Sequence, residues 1–343
     1  MASTSRPQVL FQCFLPALYL SRLTPTLVGV PVAEYAIIPT FAAAHIAIGA
    51  LFGFAASRLL RLRGCAARRL ELACGVHNCT SLPVLLLASL LAPEEAIRGV
   101  GLLSLYMLFW SPCLWTVGMF HLSNWDLGSV SQAANGGEKG TGGGKGGRLA
   151  AVRGIFKATL NPPLNAALLA VIIARVPPLA ALFIGEAAPL RFVKGAVDSL
   201  AEAAVPLSAS VLAWTLAKQG DGKGEGEGDS ATTSEDGSRD RAAMFAAAVV
   251  RLLLAPACGL LLFRAAEGAG LLPLHDVPFR LLLLLQSAMP SAQNLSTMAL
   301  LNKNTEPSAK PLAGLMALQY TIAPLPVTFW VAIFLREALK HTI

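Results

Sequence analysis

Charged side chains are scarce in this sequence. Only 14% of the 343 residues are charged, whereas 55% are hydrophobic, and the mean hydropathy is +0.59. Soluble globular chains carry about 25% charged residues, so the composition excludes that class and predicts a polytopic membrane protein embedded in the lipid bilayer. Much of the basic excess behind the net charge of +7 lies beside apolar runs. The positive-inside rule explains this placement, and no nucleic-acid partner is expected.

Sequence motifs of enzymes and metal sites are also missing. The chain contains no Walker loop and no GxSxG, HExxH or CxxC sequence. These absences predict that the protein is not an enzyme and uses neither a cofactor nor a metal. The cysteines are scattered, with no histidine cluster nearby, and are predicted to be small buried hydrophobic residues rather than metal ligands or disulfides. They are Cys13, Cys65, Cys74, Cys79, Cys113 and Cys258.

Nine apolar runs are long enough to cross a bilayer, at about 20 residues for each helical crossing. The predicted organisation is a first repeat at 1–122, a flexible Gly-rich linker at 123–154 and a second repeat at 155–343 with a disordered loop at 219–241. A basic loop at 58–69 indicates that the linker is cytoplasmic. The predicted membrane segments are 9–30, 35–60, 70–91, 100–122, 155–176, 192–217, 242–265, 279–302 and 312–338.

The apolar stretch at 282–301 is interrupted at its centre by polar and helix-breaking residues. Pro290 removes a helical N–H group and opens the helix just before the amides of Gln293 and Asn294. Inside lipid, such a break is tolerated only where protein or a water-filled cavity satisfies its backbone. Secondary transporters build their substrate sites from discontinuous helices, so Pro290, Gln293 and Asn294 are predicted to bind substrate.

A second interrupted segment, at 75–83, has the corresponding place in the first half of the chain. Asn78, Thr80 and Ser81 could donate to a substrate or cap an unwound helix, and Pro83 fits the first turn of the following helix. The N-terminus of that helix carries partial positive charge, which favours an anion such as a carboxylate. The alternative is that these groups only bond neighbouring helices. Paired breaks predict an all-α transporter of two inverted five-helix repeats, with the first helix absent here.

Three ionisable residues in apolar sequence are candidates for ion coupling or charge balance, because charge inside a membrane is costly. His77 is either a proton-coupled switch or a neutral packing histidine. Arg251 either balances a bound anion or extends its charge to the cytoplasmic face. Glu202 lies four residues after Asp198 on one helical face, where the two could pair with a cation or take part in proton coupling.

Several motifs resemble the auxin efflux carrier family, and its PIN-like branch most closely. In the second half they are NPPL at 161–164, APLRF at 188–192, an arginine and a proline at 251 and 256, GLLPLHDVPF at 270–279 and QSAMPSAQNLSTM at 286–298. In the first half, FLPALYLSRL at 14–23 and GVHNCTSLPVLLLASL at 75–90 are similar to the family's second and fourth helices. The resemblance covers nearly the whole chain outside the two linkers.

The resemblance implies a ten-helix fold in which two broken helices cross at the binding site. It also implies that the chain moves auxin, indole-3-acetate, by alternating access in the endoplasmic reticulum membrane rather than the plasma membrane. A homodimer is a further expectation. Two alternatives stay open, namely a sodium-coupled carrier of bile-acid-like anions with the same fold and a truncated membrane protein that regulates a partner without transporting.

Overall fold

The computed structural model describes residues 9–29, 35–124, 162–186, 188–221, 234–300 and 304–341. Within these ranges the secondary structure is helical, and the only β-type pairing is one isolated bridge. The all-α class predicted from the sequence is therefore confirmed. Buried side chains from most of the helices form one continuous apolar core.

Four of the helices begin at a proline, which suits a first helical turn because its missing N–H would be unpaired there anyway. One π-helical turn, Leu114–Gly118, extends α5 to Leu122, and another, Val250–Leu254, joins α9 to α10. In chain order the helices are α1 (Leu15–Leu27), α2 (Ile37–Leu59), α3 (Gly64–Gly75), α4 (Ser81–Leu90), α5 (Pro93–Cys113), α6 (Pro162–Arg175), α7 (Pro177–Phe183), α8 (Arg191–Asp221), α9 (Ser234–Val249), α10 (Ala255–Gly268), α11 (Val277–Ser287), α12 (Asn294–Leu300), α13 (Ala309–Ile322) and α14 (Pro324–Leu339).

Several of these helices match the dimensions of a bilayer. Two bent pairs, α6 with α7 at 107° and α13 with α14 at 59°, each have the combined length and hydropathy of one span. The predicted segments at 70–91 and 279–302 are each divided into two shorter helices, as their polar interruptions predict. A polytopic membrane protein is supported, and the count of nine crossings stays a prediction. The helices that pass the length and hydropathy test alone are Ile37–Leu59, Pro93–Leu122 and Ser238–Gly268.

The predicted linkers lie partly outside the described residues. Only residues 123 and 124 of the first linker are described, together with both ends of the loop predicted at 219–241. Those ends are helical, because α8 continues to Asp221 and α9 begins at Ser234. The predicted loop is therefore too long at each end. A Ser-Glu-Asp sequence, which is a helix-start signal, lies within its predicted range.

The cysteine prediction is only partly right. All six cysteines are free, and Cys74 and Cys79 are buried as expected. Cys13 and Cys65, however, are exposed. Cys65 is the second residue of α3 and follows the exposed residues Arg63 and Gly64. Apolar sequence around a small side chain does not tell which face of a helix it occupies.

Close contacts between helices depend on glycine. A Cβ atom at Gly49 of α2 would lie 2.2 Å from the carbonyl oxygen of Cys74 in α3. One at Gly259 of α10 would lie 2.3 Å from the Cβ atom of Ser287 in α11. Small residues let helix backbones approach closely in membrane bundles. Helices α2 and α10 therefore pack tightly against the C-terminal ends of α3 and α11.

Candidate functional site

The two interrupted segments meet inside the bundle. Helix α3 ends at Gly75 before α4 begins at Ser81, and α11 ends at Ser287 before α12 begins at Asn294. Between these ends the chain is not helical, and the two breaks lie against each other. Residues 76–80 and 288–293 are called the crossing below. The pairing of the two breaks agrees with the expectation from the sequence.

An antiparallel bridge between His77 and Ser291 joins the two breaks. The four backbone groups of its two hydrogen bonds belong to residues outside the helices. Unpaired N–H and C=O groups are costly inside lipid. Each break supplies hydrogen-bond partners for backbone groups of the other. The two bonds run from the Asn78 N–H to the Pro290 carbonyl (2.7 Å) and from the Ala292 N–H to the Val76 carbonyl (3.0 Å).

Helix α13 satisfies the remaining backbone groups at Ser291. The Ser291 N–H donates to Oε1 of Gln319 at 2.8 Å, and the Tyr320 hydroxyl donates to the Ser291 carbonyl at 3.2 Å. The Ser291 hydroxyl donates to the carbonyl of Ala73 in α3 at 2.5 Å. Sequence alone leaves the orientation of Gln319 and Tyr320 undecided. The structure shows that they bind the second break directly.

Asn78 caps the helix that follows the first break. Its Oδ1 accepts from the N–H groups of Thr80 and Ser81 at 3.1 and 3.2 Å. Its Nδ2 donates to the Tyr320 hydroxyl at 2.7 Å, and the residue is buried. Of the two roles predicted for Asn78, the cap is therefore present in the structure. Asn78 also links α4 to α13 through Tyr320.

The other predicted residues of the first break surround the start of α4. Thr80 and Ser81 are half-buried, so parts of both side chains stay accessible. Pro83 is buried in the first turn of α4, where its lack of an N–H group leaves no helical bond unmade. The α4 N-terminus therefore presents two hydroxyl side chains together with the positive end of its helix dipole.

Arg251 is fully buried and binds the C-terminal ends of both interrupted helices. Its Nε and Nη2 donate to the Met289 carbonyl at 3.0 and 2.6 Å. Nη2 also lies 3.4 Å from the Ser287 carbonyl, and Nη1 lies 3.4 Å from the Cys74 carbonyl. A cation at these ends compensates the negative poles of two helix dipoles. Arg251 therefore does not extend to the cytoplasmic face, which was one of its two predicted roles.

A local irregularity places Arg251 at the crossing. Pro256 has no N–H to donate to the carbonyl of Leu252, four residues earlier. That carbonyl instead accepts from Nε1 of Trp330 in α14 at 2.9 Å. The π-helical turn Val250–Leu254 precedes this proline and contains Arg251. Such turns are frequent at functional sites, and the guanidinium in this one lies in the core.

His77 belongs to a buried chain of three polar side chains. The Tyr106 hydroxyl lies 2.9 Å from Nε2 of His77 and 3.0 Å from Nδ1 of His45. Both histidines are buried, and Gln286 lies beside His77. His77 is therefore a hydrogen-bonded histidine of the core. Sequence reasoning does not find Tyr106 as its partner, because 29 residues separate the two and no motif connects them.

The remaining predicted site residues lie in two places: Gln293 and Asn294 at the start of α12, and Glu202 on α8. Gln293 and Asn294 are half-buried at the start of α12, and Nε2 of Gln293 has no hydrogen-bond partner among the described residues. Glu202 is exposed on α8, and no described contact connects it to the crossing. Asp198 on the same helix pairs with Lys194 at 2.5 Å and accepts from the Ser21 hydroxyl. Asp198 therefore pairs with a cation of its own helix, Lys194, and the proposed part of Asp198 and Glu202 in proton coupling stays a prediction.

Comparison with known proteins assigns the chain to a family. The family model described as "Membrane transport protein" matches residues 8–143 and 147–331, which is most of the chain. The chain belongs to this family. It is the auxin efflux carrier family, so the resemblance described above is confirmed. The match includes both breaks, Arg251 and the helix that supplies Gln319 and Tyr320.

Three Arabidopsis thaliana proteins illustrate the similarity to this family's plant members. Protein PIN-LIKES 2 is 31% identical over 196 residues, which are 57% of this chain and 39% of that protein. Protein PIN-LIKES 7 is 30% identical over 181 residues, or 53% and 41% of the two chains. Protein PIN-LIKES 3 is 27% identical over 180 residues, or 52% and 42%. The chain thus aligns with about two fifths of the length of these relatives.

Proposed function

We propose that the chain is a secondary carrier of a small organic anion, which binds beside the crossing and crosses the membrane by alternating access. By family resemblance the proposed anion is auxin, indole-3-acetate. Efflux or intracellular sequestration at the endoplasmic reticulum membrane, and assembly as a homodimer, are proposed on the same basis. Two inverted five-helix repeats would provide the moving parts, with one break in each repeat.

The position of Arg251 is the observation that supports an anion most strongly. Its guanidinium donates to carbonyls at the C-terminal ends of α3 and α11, so the negative poles of both interrupted helices are compensated by the protein itself. The positive pole at the start of α4 has no such built-in counter-charge among its described contacts. The crossing therefore favours negative charge near Thr80 and Ser81.

Side chains near this pole can orient a carboxylate. Thr80 and Ser81 are half-buried residues, and the Thr80 hydroxyl contacts the Tyr19 hydroxyl at 3.5 Å. Nε2 of Gln293, which is buried and has no hydrogen-bond partner among the described residues, supplies a further N–H donor. Asn78 holds Thr80 and Ser81 in position, because its side chain accepts from their N–H groups at the start of α4. We assign substrate contact to Thr80, Ser81, Gln293 and Asn294, and a positioning role to Asn78.

The sodium-coupled alternative is weakened by the same guanidinium. A coupling cation at a helix break is normally held by unwound backbone carbonyls. Here the carbonyls of Cys74, Ser287 and Met289 already accept from Arg251. A fixed positive charge thus occupies the ligands that sodium would need. We therefore propose transport that does not depend on a sodium gradient.

Uptake into proteoliposomes tests this function. The full chain is reconstituted, and entry of labelled indole-3-acetate is followed with sodium or potassium as the only alkali cation, against protein-free vesicles. Saturable uptake of equal rate in both salts is expected. Uptake that requires sodium would favour the sodium-coupled carrier. The absence of saturable uptake for both indole-3-acetate and benzoate would favour the regulatory protein without transport.

A further inference from the structure

A second polar site lies far from the crossing, at the end of the bundle where α10 and α14 finish. It is a cleft of about 840 Å³. Within the continuous helix formed by α9 and α10, the candidate membrane span Ser238–Gly268 has 31 residues and is therefore about 46 Å long, close to the thickness of a bilayer with its headgroup layers. From this length we expect the end at Gly268 to lie near the headgroups. Its lining includes His341 and five charged residues, Arg264, Glu267, Arg336, Glu337 and Lys340.

Both carboxylates in this cleft are already paired. Oε1 of Glu267 accepts from Nη2 of Arg280 at 2.5 Å and lies 2.9 Å from Nε2 of His341. The Lys340 ammonium lies 3.7 Å from Oε2 of the same carboxylate. Glu337 accepts from Arg264 at 2.7 Å. Neither carboxylate is free to neutralise further positive charge.

Basic groups outnumber these carboxylates. Arg264, Arg280, Arg336 and Lys340 provide four positive charges against two negative ones, which leaves a surplus of two. Arg336 is exposed and pairs with no described residue. The side chains of Arg264 and Lys340 are 53% and 56% exposed, so each can reach a ligand without leaving its carboxylate.

Arg280 adds buried positive charge behind the cleft wall. Its side chain is fully buried, and its Cζ atom lies 4.9 Å from the centre of the Phe263 ring. The Nε and Nη1 groups have no hydrogen-bond partner in the described part of the chain. A guanidinium shielded from water and bonded on one side only strengthens the attraction of the cleft for anions.

We propose that this cleft binds a phosphate-bearing anion, either the headgroup of an anionic phospholipid or a free phosphate. Phosphate oxygens accept several charge-assisted hydrogen bonds at once, and arginine offers two donors in matching geometry. Basic pockets between transmembrane helices on the cytoplasmic or matrix side of other proteins bind anionic headgroups in this manner, and the predicted topology puts this cleft on the opposite side. The cleft is lined by residues of α10 and α14, by Leu274 and by the residues after α14, none of which belongs to the crossing.

The test uses the purified full chain and the double variant Arg336→Gln/Lys340→Gln. Binding of fluorescent phosphatidylglycerol is measured in phosphatidylcholine nanodiscs, and inorganic phosphate is titrated against thermal unfolding in detergent. Two lost basic contacts are expected to weaken binding roughly thirtyfold, at about fivefold for each. Circular dichroism checks that the variant is folded, which is expected because both side chains are exposed.

The matched control is Arg61→Gln/Arg63→Gln, which removes the same charge from exposed positions before α3. That region lies at the other end of the long helix, since Arg69 of α3 pairs with Asp240. Loss of lipid binding in the cleft variant alone supports a lipid headgroup, and loss of phosphate stabilisation in that variant alone supports a soluble phosphate. Equal losses in both double variants, or none in either, would overturn the proposal.

Discussion

At the scale of single residues, the crossing depends on side chains that replace missing helical bonds. Arg251 binds three carbonyls at the ends of two helices, Asn78 caps a third helix, and Gln319 accepts from the Ser291 N–H. The bonds of Arg251 and Gln319 are buried and the cap is partly buried, and an unmade buried hydrogen bond costs about 1 to 3 kcal/mol. Together they explain how non-helical backbone is tolerated inside an apolar bundle.

Replacement of Arg251 by glutamine is expected to lower the free energy of unfolding by about 3 kcal/mol, because the carbonyl ends of α3 and α11 lose their shared donor. Arg251→Lys keeps the charge, but a single ammonium cannot reach both Cys74 and Met289, so roughly half of the loss is expected. Denaturant unfolding in detergent measures both variants, with the exposed Arg63→Gln as a neutral control. Two variants as stable as the unchanged chain would contradict a structural role for this guanidinium.

The sequence predicted which residues lie at the breaks, but not the partners of Arg251 or the position of Glu202. Asn78, Pro290 and Gln293 stand out because polar or helix-breaking residues are costly in an apolar run, and the structure places all three at the breaks. The partners of Arg251 could not be predicted, since they are backbone carbonyls that any residue type provides. The position of Glu202 also required the structure, because helical periodicity does not distinguish a cavity-facing side from an exposed one.

At the scale of elements, close packing connects the unbroken helices to the broken ones. The contact of Gly49 with Cys74 joins α2 to the end of α3, and the contact of Gly259 with Ser287 joins α10 to the end of α11. Both contacts lie at carbonyl ends that Arg251 also binds. Movement of α2 or α10 would therefore be transmitted directly to the crossing.

A methyl group at Gly49 tests this packing. Gly49→Ala is expected to destabilise the protein by about 2 kcal/mol, because the new Cβ would overlap the Cys74 carbonyl and force α2 away from α3. Gly195→Ala is the matched control, since Gly195 lies in helix α8 with open space around it and is expected to be neutral or slightly stabilising. Thermal unfolding of both variants in detergent measures the difference. Equal stabilities would show that the close approach has no energetic role.

The sequence predicted where helices are interrupted better than where they bend. Polar residues mark the breaks at 75–83 and 288–293, so both could be located before the structure. The bend of 107° after Arg175 and the bend of 59° before Pro324 lie inside apolar sequence. A proline there starts a new helix but does not fix its direction, which packing against neighbours decides. The segments predicted at 155–176 and 312–338 therefore do not include the bends that the structure shows in these regions.

At the scale of the whole molecule, two positive regions have different origins. One is the crossing, where a buried guanidinium compensates two helix ends and leaves the α4 N-terminus to attract an anion. The other is the cleft at the end of α10 and α14, where basic side chains outnumber carboxylates. Family membership supports transport, and the electrostatics of the crossing support an anionic substrate. The central claim is that negative charge on the ligand is recognised at the crossing.

The most direct measurement compares binding of labelled indole-3-acetate and its neutral amide to the purified full chain and to Asn78→Asp. Aspartate can still accept from the Thr80 and Ser81 N–H groups, so α4 stays capped, but its charge repels an anion from the site. We expect the unchanged chain to bind the acid at least tenfold more tightly than the amide, and Asn78→Asp to lose this preference. Equal binding of acid and amide by the unchanged chain, or an unaltered preference in the folded variant, would contradict the account.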